Sequence, residues 1–242
     1  EPEPPVSVAD SQSGWGSGAQ GENSWYYGYY NQTADDDGTY DPNTDFDTTD
    51  PNWTFLNGIW QLGVDGNPAA NAPWTNVGQV NWHPNGDNQP QGVHWAMKRW
   101  VATVDDTLHV RVQFKKVSPN GNGTTLLILN NGTEIYRVTM NSTAGIDELV
   151  DLGEIFAGDK IDFALTPEGL DGGLADGADG SSLIATIFTG PVPPPTVEEL
   201  ANTESDWGGA AQGENNWFYG YWNKTTDLDG NYDPNEDFDN VD

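Results

Sequence analysis

The chain has 242 residues, with 38 acidic and 8 basic side chains, which give a formal net charge of −30. So large a negative charge repels DNA, RNA and anionic lipid surfaces, and it excludes these polyanions as partners. The sequence has no cysteine, so disulfide bonds and cysteine-ligated metals are excluded as well. No run approaches about 18 apolar residues, so we expect no insertion into a membrane.

An internal repeat divides the sequence. Residues 15–50 and 207–242 align without a gap, 192 positions apart, and 24 of the 36 aligned positions are identical. A repeat unit of roughly 190 residues is far longer than a solenoid unit, so each unit should be a whole domain. We therefore predict a Pro-rich linker at 1–14, a complete β-sandwich module at 15–190, a second Pro-rich linker at 191–206, and at 207–242 the first part of the next repeat or a segment that completes a neighbouring subunit.

The first predicted element is an aromatic strand at the start of each repeat. Alternate residues of a strand share one face, and Gly28 would allow another backbone to approach closely. One face should lie in the core, while the other stacks on sugar rings or anchors a neighbouring subunit, unless both faces are buried. The candidates for ligand or subunit contact are Trp25, Tyr27 and Tyr29, which recur as Trp217, Tyr219 and Tyr221. Trp74 and Trp82 join these candidates, because their loop-like context favours exposure.

An acidic loop follows the aromatic strand in both copies. Calcium takes six to eight oxygen ligands, and a D-x-D-G-x-x-D pattern can supply carboxylates and a carbonyl around one ion. The spacing differs from that of an EF-hand, and a solvated loop held only by its turns is the alternative. The predicted ligands of a structural calcium ion are Asp35, Asp37, Asp41, Asp45 and Asp47, which recur as Asp227, Asp229, Asp233, Asp237 and Asp239. A second candidate set is Asp171, Asp176 and Asp179, in a Gly-rich segment.

The remainder of the module is predicted to be all-β. Residues 107–117 alternate between apolar and polar side chains, as a half-buried strand does. Asn130-Asn131-Gly132 lies between two apolar runs and predicts a hairpin. One helical turn is expected, at 196–205 in the second linker. The strands imply an antiparallel, jelly-roll-like two-sheet β-sandwich with long loops; they are predicted at 93–104, 107–117, 124–130, 133–140, 146–152, 160–167 and 181–189.

Most of the basic side chains fall on two of these predicted strands. We expect these two strands to be neighbours, so that the residues form either a charge-balanced sheet face or a basic stripe that meets the acidic loop of a neighbouring module. The residues concerned are Lys98, Arg99, Arg111, Lys115 and Lys116.

The order of several motifs resembles a known class of module. Between residues 15 and 189 the sequence contains QGEN-x-WYYGYY, WHP, WAMKRW, EIYRV after an Asn-Gly turn, GDKIDFALTP and a Ser-rich final strand. This order is similar to that of carbohydrate-binding-like jelly-roll β-sandwich modules, which occur as repeats in large secreted or cell-surface bacterial proteins. Many of these modules accompany polysaccharide-degrading enzymes. The resemblance implies a non-catalytic extracellular sandwich, and it assigns no ligand because one fold serves many functions.

The sequence leaves two functions open. The first is a structural or adhesive tandem-repeat module, extracellular or on the cell surface, which is stabilised by calcium and assembles end to end with other copies of the same protein into a filament. The alternative is a carbohydrate-binding module of a secreted polysaccharide-degrading enzyme, with polysaccharide as its partner. No zinc spacing and no pairing of a nucleophile with a base is found, so no catalytic residue is predicted. Outside the cell, the candidate glycosylation acceptors are Asn31, Asn52, Asn122, Asn131, Asn141 and Asn223.

Overall fold

The structure is a computed structural model that describes residues 5–63 and 73–190, and seven positions of the second repeat: 218, 220, 221, 223, 233, 239 and 240. The chain divides into two compact units, Glu1–Val192 and Pro193–Asp242. In the first unit, antiparallel strands form an eight-stranded and a five-stranded sheet. The prediction of an all-β, two-sheet sandwich is therefore confirmed.

The strands follow one another along the chain with only two short 3-10 turns, Ser13–Trp15 and Glu22–Ser24, among the described residues. The larger sheet has the order β11-β8-β13-β6-β5-β4-β3, with β1 beside β13, and the smaller sheet has the order β10-β9-β12-β7-β2. The strands of the first unit are β1 (Val6–Asp10), β2 (Trp25–Asn31), β3 (Trp53–Leu56), β4 (Ile59–Leu62), β5 (Asn76–Gly78), β6 (Asn81–His83), β7 (His94–Val101), β8 (Asp106–Lys116), β9 (Thr124–Asn130), β10 (Thr133–Met140), β11 (Ile146–Ile155), β12 (Lys160–Thr166) and β13 (Ser181–Thr189).

The main core lies between the two sheets, where the alternating side chains of each strand meet. In β8 the apolar positions from Leu108 to Phe114 are buried, whereas the alternating positions Arg111, Gln113 and Lys115 are exposed. The same alternation sends Trp25, Tyr27 and Tyr29 of the aromatic strand into this core.

The predicted hairpin joins β9 to β10. Its two central residues, Asn131 and Gly132, have positive φ angles of 48° and 82°. Two consecutive left-handed residues are what a tight two-residue hairpin turn requires, and Asn-Gly adopts them at the lowest steric cost. The turn therefore fixes the register that pairs Thr133 with Asn130.

The module begins earlier than the sequence predicted. Residues 1–14 were expected to be a linker, but β1 pairs antiparallel with β13, from Val6 opposite Thr189 to Asp10 opposite Thr186. The side chain of Asp10 also accepts a hydrogen bond from the Thr186 hydroxyl at 2.7 Å. The sequence pattern did not predict this strand, because the strand has few apolar residues and they follow three prolines.

The predicted basic stripe does not form. It required β7 and β8 to be neighbours, but the chain crosses between them, so that β7 belongs to the smaller sheet and β8 to the larger. Lys98, Arg99 and Lys116 are buried, and only Arg111 and Lys115 are exposed.

Candidate functional site

The acidic loop between β2 and β3 lies across the outer face of the smaller sheet. Near its end the loop crosses β2 at Gly28, where an added Cβ would be 2.5 Å from the Asp47 carbonyl oxygen. Next to this crossing, the backbones of Tyr29 and Asp47 exchange two hydrogen bonds of 2.9 and 3.1 Å. The close approach predicted for Gly28 is thus made by the loop itself.

A buried polar cluster pins the loop to the sheet. Arg99 forms two hydrogen bonds with Asp162, at 2.6 and 2.9 Å, and a third with the Tyr40 hydroxyl at 2.7 Å. Tyr40 donates to the same carboxylate, and the Arg99 guanidinium lies 4.0 Å from the ring centroid of Phe46. Burial of Tyr40 and the charge of Asp162 raise the pKa of the phenol. Tyr40 and Phe46 therefore hold the loop over a second, smaller core that includes Tyr30.

The carboxylates of the loop do not converge on one point. Across residues 5–63 and 73–190, no three acidic or histidine side chains come together as ligands for a metal ion. Most of the loop carboxylates instead accept backbone N–H groups two residues further on, at 2.6 to 3.3 Å, as in Asx turns. The hydrogen bond from Tyr30 also lowers the pKa of Asp35. These observations concern Asp35, Asp37, Asp41, Asp45 and Asp47.

The second repeat reproduces one detail of this arrangement. Its two short strands, β14 (Gly220–Tyr221) and β15 (Asp239–Asn240), pair with Tyr221 opposite Asp239. These residues are the counterparts, 192 positions on, of Tyr29 and Asp47, which form the same bridge in the first copy. Of the other predicted ligands in this copy, Asp233 is exposed. Asp227, Asp229, Asp237, Trp217 and Tyr219 lie outside the described residues, as do the linker at 191–206 and its expected helical turn.

Four of the five predicted contact aromatics in the first module are buried and cannot reach a ligand. Trp25, Tyr27 and Tyr29 are at most 3% exposed. Trp82, which we expected to be exposed, is only 1% exposed, because β6 places it beside Val77 of β5 on the inner face of the larger sheet. Trp74 is the exception, with 52% of its surface exposed.

The backbone of exposed Trp74 is held by two asparagine side chains. Its backbone N–H donates to the side chain of Asn85 at 2.9 Å, and its carbonyl accepts from the Asn76 side chain at 2.9 Å. Asn85 is fully buried and its amide also donates to the carbonyls of Pro90 and Gly92, so it ties two loops together. The His83 ring lies 6.2 Å from the Trp74 ring, centroid to centroid. This anchoring role of Asn85 has no signal in the sequence.

A buried lysine lies inside the sandwich. Lys98 is fully buried, its ammonium donates to the Gln79 carbonyl at 2.8 Å, and it lies 5.6 and 5.9 Å from the rings of Trp82 and Trp15. Burial lowers the pKa of Lys98 to about 7. The sequence does carry a signal for this, because alternation along β7 puts Lys98 on the same face as Ala96 and Trp100.

A second buried group of charges lies where the Gly-rich segment meets the end of β8. The ammonium of Lys116 is 3.0 Å from the Asn120 carbonyl, 3.2 Å from the Asn141 side-chain oxygen and 3.4 Å from Asp179. Both Lys116 and Asp179 are at most 1% exposed. Burial raises the pKa of Asp179 to about 7, although the nearby ammonium opposes the shift.

Three of the predicted glycosylation acceptors, Asn52, Asn131 and Asn223, are exposed, and the other three are partly buried. Their glycosylation stays a prediction. Within the described residues, no helix has the length and apolar character needed to cross a membrane.

No protein-family model matches the sequence, and no curated protein matches it. The chain is similar to a family-36 carbohydrate-binding module of a multidomain xylanase from the hindgut metagenome of Trinervitermes trinervoides, with 12% identity, 46% of this chain and 88% of that one covered, and a TM-score of 0.27. It is also similar to a family-36 module in complex with calcium and xylotriose, with 15% identity, 44% of this chain and 88% of that one covered, and a TM-score of 0.24. A third similar structure is a Podospora anserina mannanase with a family-35 module, with 11% identity, 43% of this chain and 20% of that one covered, and a TM-score of 0.25. At these TM-scores the similarities assign neither a ligand nor a function to this chain.

Proposed function

We propose that the module at 5–190 is a non-catalytic, extracellular carbohydrate-binding module. The observation that carries this proposal is Trp74, whose large aromatic side chain is half exposed and whose backbone is held by hydrogen bonds with Asn76 and Asn85. Because its backbone is already fixed, less conformational entropy is lost when the ring stacks against the C–H face of a sugar.

The surroundings of Trp74 fit a neutral ligand. Asn76 and His83 face each other across β5 and β6, and both side chains point away from the core residues Val77 and Trp82. Amide and imidazole groups can donate to and accept from sugar hydroxyls. The formal charge of −30 disfavours uronic acid polymers and other polyanions. We therefore infer a neutral polysaccharide as the ligand.

Affinity electrophoresis in gels that contain xylan, mannan, β-glucan or soluble starch tests this proposal. We expect one of these polysaccharides to retard the wild-type protein and Trp74→Ala to lose at least tenfold in affinity, equivalent to about 1.4 kcal/mol. The matched control is Phe156→Ala, which removes an exposed aromatic ring from the turn after β11. Equal retardation of wild type and Trp74→Ala, or no retardation by any of the four polymers, would refute the proposal.

The repeat favours a second candidate function, a structural or adhesive array. The same strand-and-loop closure occurs in both copies, and this suggests that successive modules have the same architecture. In this proposal the partners are other copies of the protein, and bound calcium stiffens the array into a filament. Electron microscopy with calcium and after chelation tests it: uniform fibres that disassemble on chelation are expected, and monodisperse particles under both conditions would refute it.

A further inference from the structure

The Gly-rich segment 169–180 contains two carboxylates that the rest of the fold leaves incompletely bonded. Asp176 and Asp179 are at most 2% exposed. Each has one oxygen with a hydrogen-bond or ionic partner, Gln89 at 3.3 Å for Asp176 and Lys116 at 3.4 Å for Asp179. The second oxygen of each carboxylate, Oδ2, is buried and has no hydrogen-bond partner among the described residues. Such buried, unsatisfied charged atoms are rare in proteins because their desolvation is not compensated.

Charge counting leads to the same conclusion. The cluster contains two carboxylates and one ammonium, that of Lys116. Two buried carboxylates therefore share one ammonium, and buried charges are normally paired or bound to metals.

The surrounding loops supply further oxygen atoms. The Asn120 carbonyl and the Asn141 side-chain oxygen already face the Lys116 ammonium. The Gly177 carbonyl lies against Gly121, where an added Cβ would be only 2.0 Å from it. Asn120, Gly121 and Gly177 are exposed, so the cluster lies directly beneath the surface. Carboxylate and carbonyl oxygens in a glycine-rich loop are the ligands that calcium prefers.

We propose that Asp176 and Asp179 bind a calcium ion through their unpaired oxygens, with carbonyl oxygens of the neighbouring loops and water completing its shell. The ion supplies a partner for both unpaired oxygens, and it joins the Gly-rich segment to the loops that flank β8. This site is separate from the acidic loop, whose carboxylates are already used in turns.

Terbium luminescence gives a direct test, because Tb³⁺ replaces Ca²⁺ at oxygen sites and nearby tryptophans sensitise its emission. EDTA-treated protein is titrated with Tb³⁺ at pH 8, and Ca²⁺ is then added up to about 1 mM, the range of weak extracellular sites. We expect one Tb³⁺ site that Ca²⁺ displaces. Asp176→Asn and Asp179→Asn should each weaken it at least tenfold. Asp171→Asn is the matched control from the same segment, because Asp171 is exposed and accepts hydrogen bonds from Gly173 and Asn122.

Three results would overturn the proposal. The first is that wild-type protein binds neither ion at pH 8. The second is that both Asn variants bind as the wild type does. The third is that Asp35→Asn, in the acidic loop, removes the signal while Asp179→Asn leaves it unchanged. A thermal shift of the wild type with calcium provides a readout that does not depend on the variants folding, and we expect calcium to raise its melting temperature.

Discussion

Replacing Lys98 by methionine should remove a pH dependence of stability that this one buried amine creates. Lys98 has a pKa of about 7 in the folded protein, because burial disfavours its charged form. In the unfolded chain, a lysine titrates near pH 10.4. Between these values the unfolded state binds one more proton than the folded state, so the free energy of unfolding rises with pH.

The magnitude follows from the two pKa values. Over the range from pH 7.5 to 9.5, the wild-type free energy of unfolding should rise by about 2.5 kcal/mol, since each full pH unit contributes about 1.4 kcal/mol. The range starts above the pKa of Asp179, which is about 7. It ends below pH 10, near which tyrosines of the unfolded chain ionise. Burial raises the pKa of residues such as Tyr27 and Tyr29 in the folded state, so above that pH the unfolded state loses protons first and the free energy of unfolding should fall.

Urea denaturation at four pH values across this range provides the assay. Lys98→Met keeps an unbranched side chain as far as Cε and removes the amine, so its free energy of unfolding should change by less than about 1 kcal/mol over the range. Lys115→Met removes an exposed ammonium instead and should follow the wild type. If Lys98→Met keeps the full pH dependence, or if the wild type shows none, then Lys98 is not buried between the two tryptophans as described.

Two further predictions concern the attachment of the acidic loop. Arg99→Met should lower the free energy of unfolding by about 3 kcal/mol, because it leaves the buried carboxylate of Asp162 without its cation. In a denaturant titration, the double variant Arg99→Met with Asp162→Leu should recover most of this loss. An equal or greater loss in the double variant would contradict the reasoning. Gly28→Ala should lower stability by about 1–3 kcal/mol, because its Cβ would overlap the Asp47 carbonyl. A thermal melt in the presence of EDTA checks this, so that no bound metal affects the control Gly177→Ala, an exposed position whose Cβ would meet nothing within 4 Å. Equal melting temperatures of the wild type and Gly28→Ala would argue against the crossing.

The sequence predicted eight of the thirteen strands of the first unit, but not β1 or β3–β6, and it predicted the arrangement of the strands less well. Alternation and turn chemistry are local signals, so β8 and the Asn131-Gly132 hairpin could be recognised directly. The sheet to which a strand belongs is decided by contacts between distant segments. For that reason β7 and β8 were expected side by side, although they lie in different sheets.

The candidate sites were predicted by residue type, and the structure changes which of those residues can act. Trp74 and Trp82 have similar sequence contexts, but only Trp74 is exposed, because Trp82 falls on an inward position of a three-residue strand. The acidic loop has the higher density of carboxylates, yet its side chains are bonded within their own turns. Asp176 and Asp179 are fewer but buried, and burial cannot be read from a Gly-rich sequence.

The crossing of Gly28 by its own loop also bears on the order in which the module folds. Tyr29 and Asp47 are 18 residues apart, whereas Tyr29 and its partner Ala96 on β7 are nearly four times as far apart along the chain. Closing the shorter loop costs less chain entropy, by about 1 kcal/mol. A nascent chain can therefore close this segment long before β7 is synthesised. In the next repeat, the pairing of Tyr221 with Asp239 closes a segment of the same length.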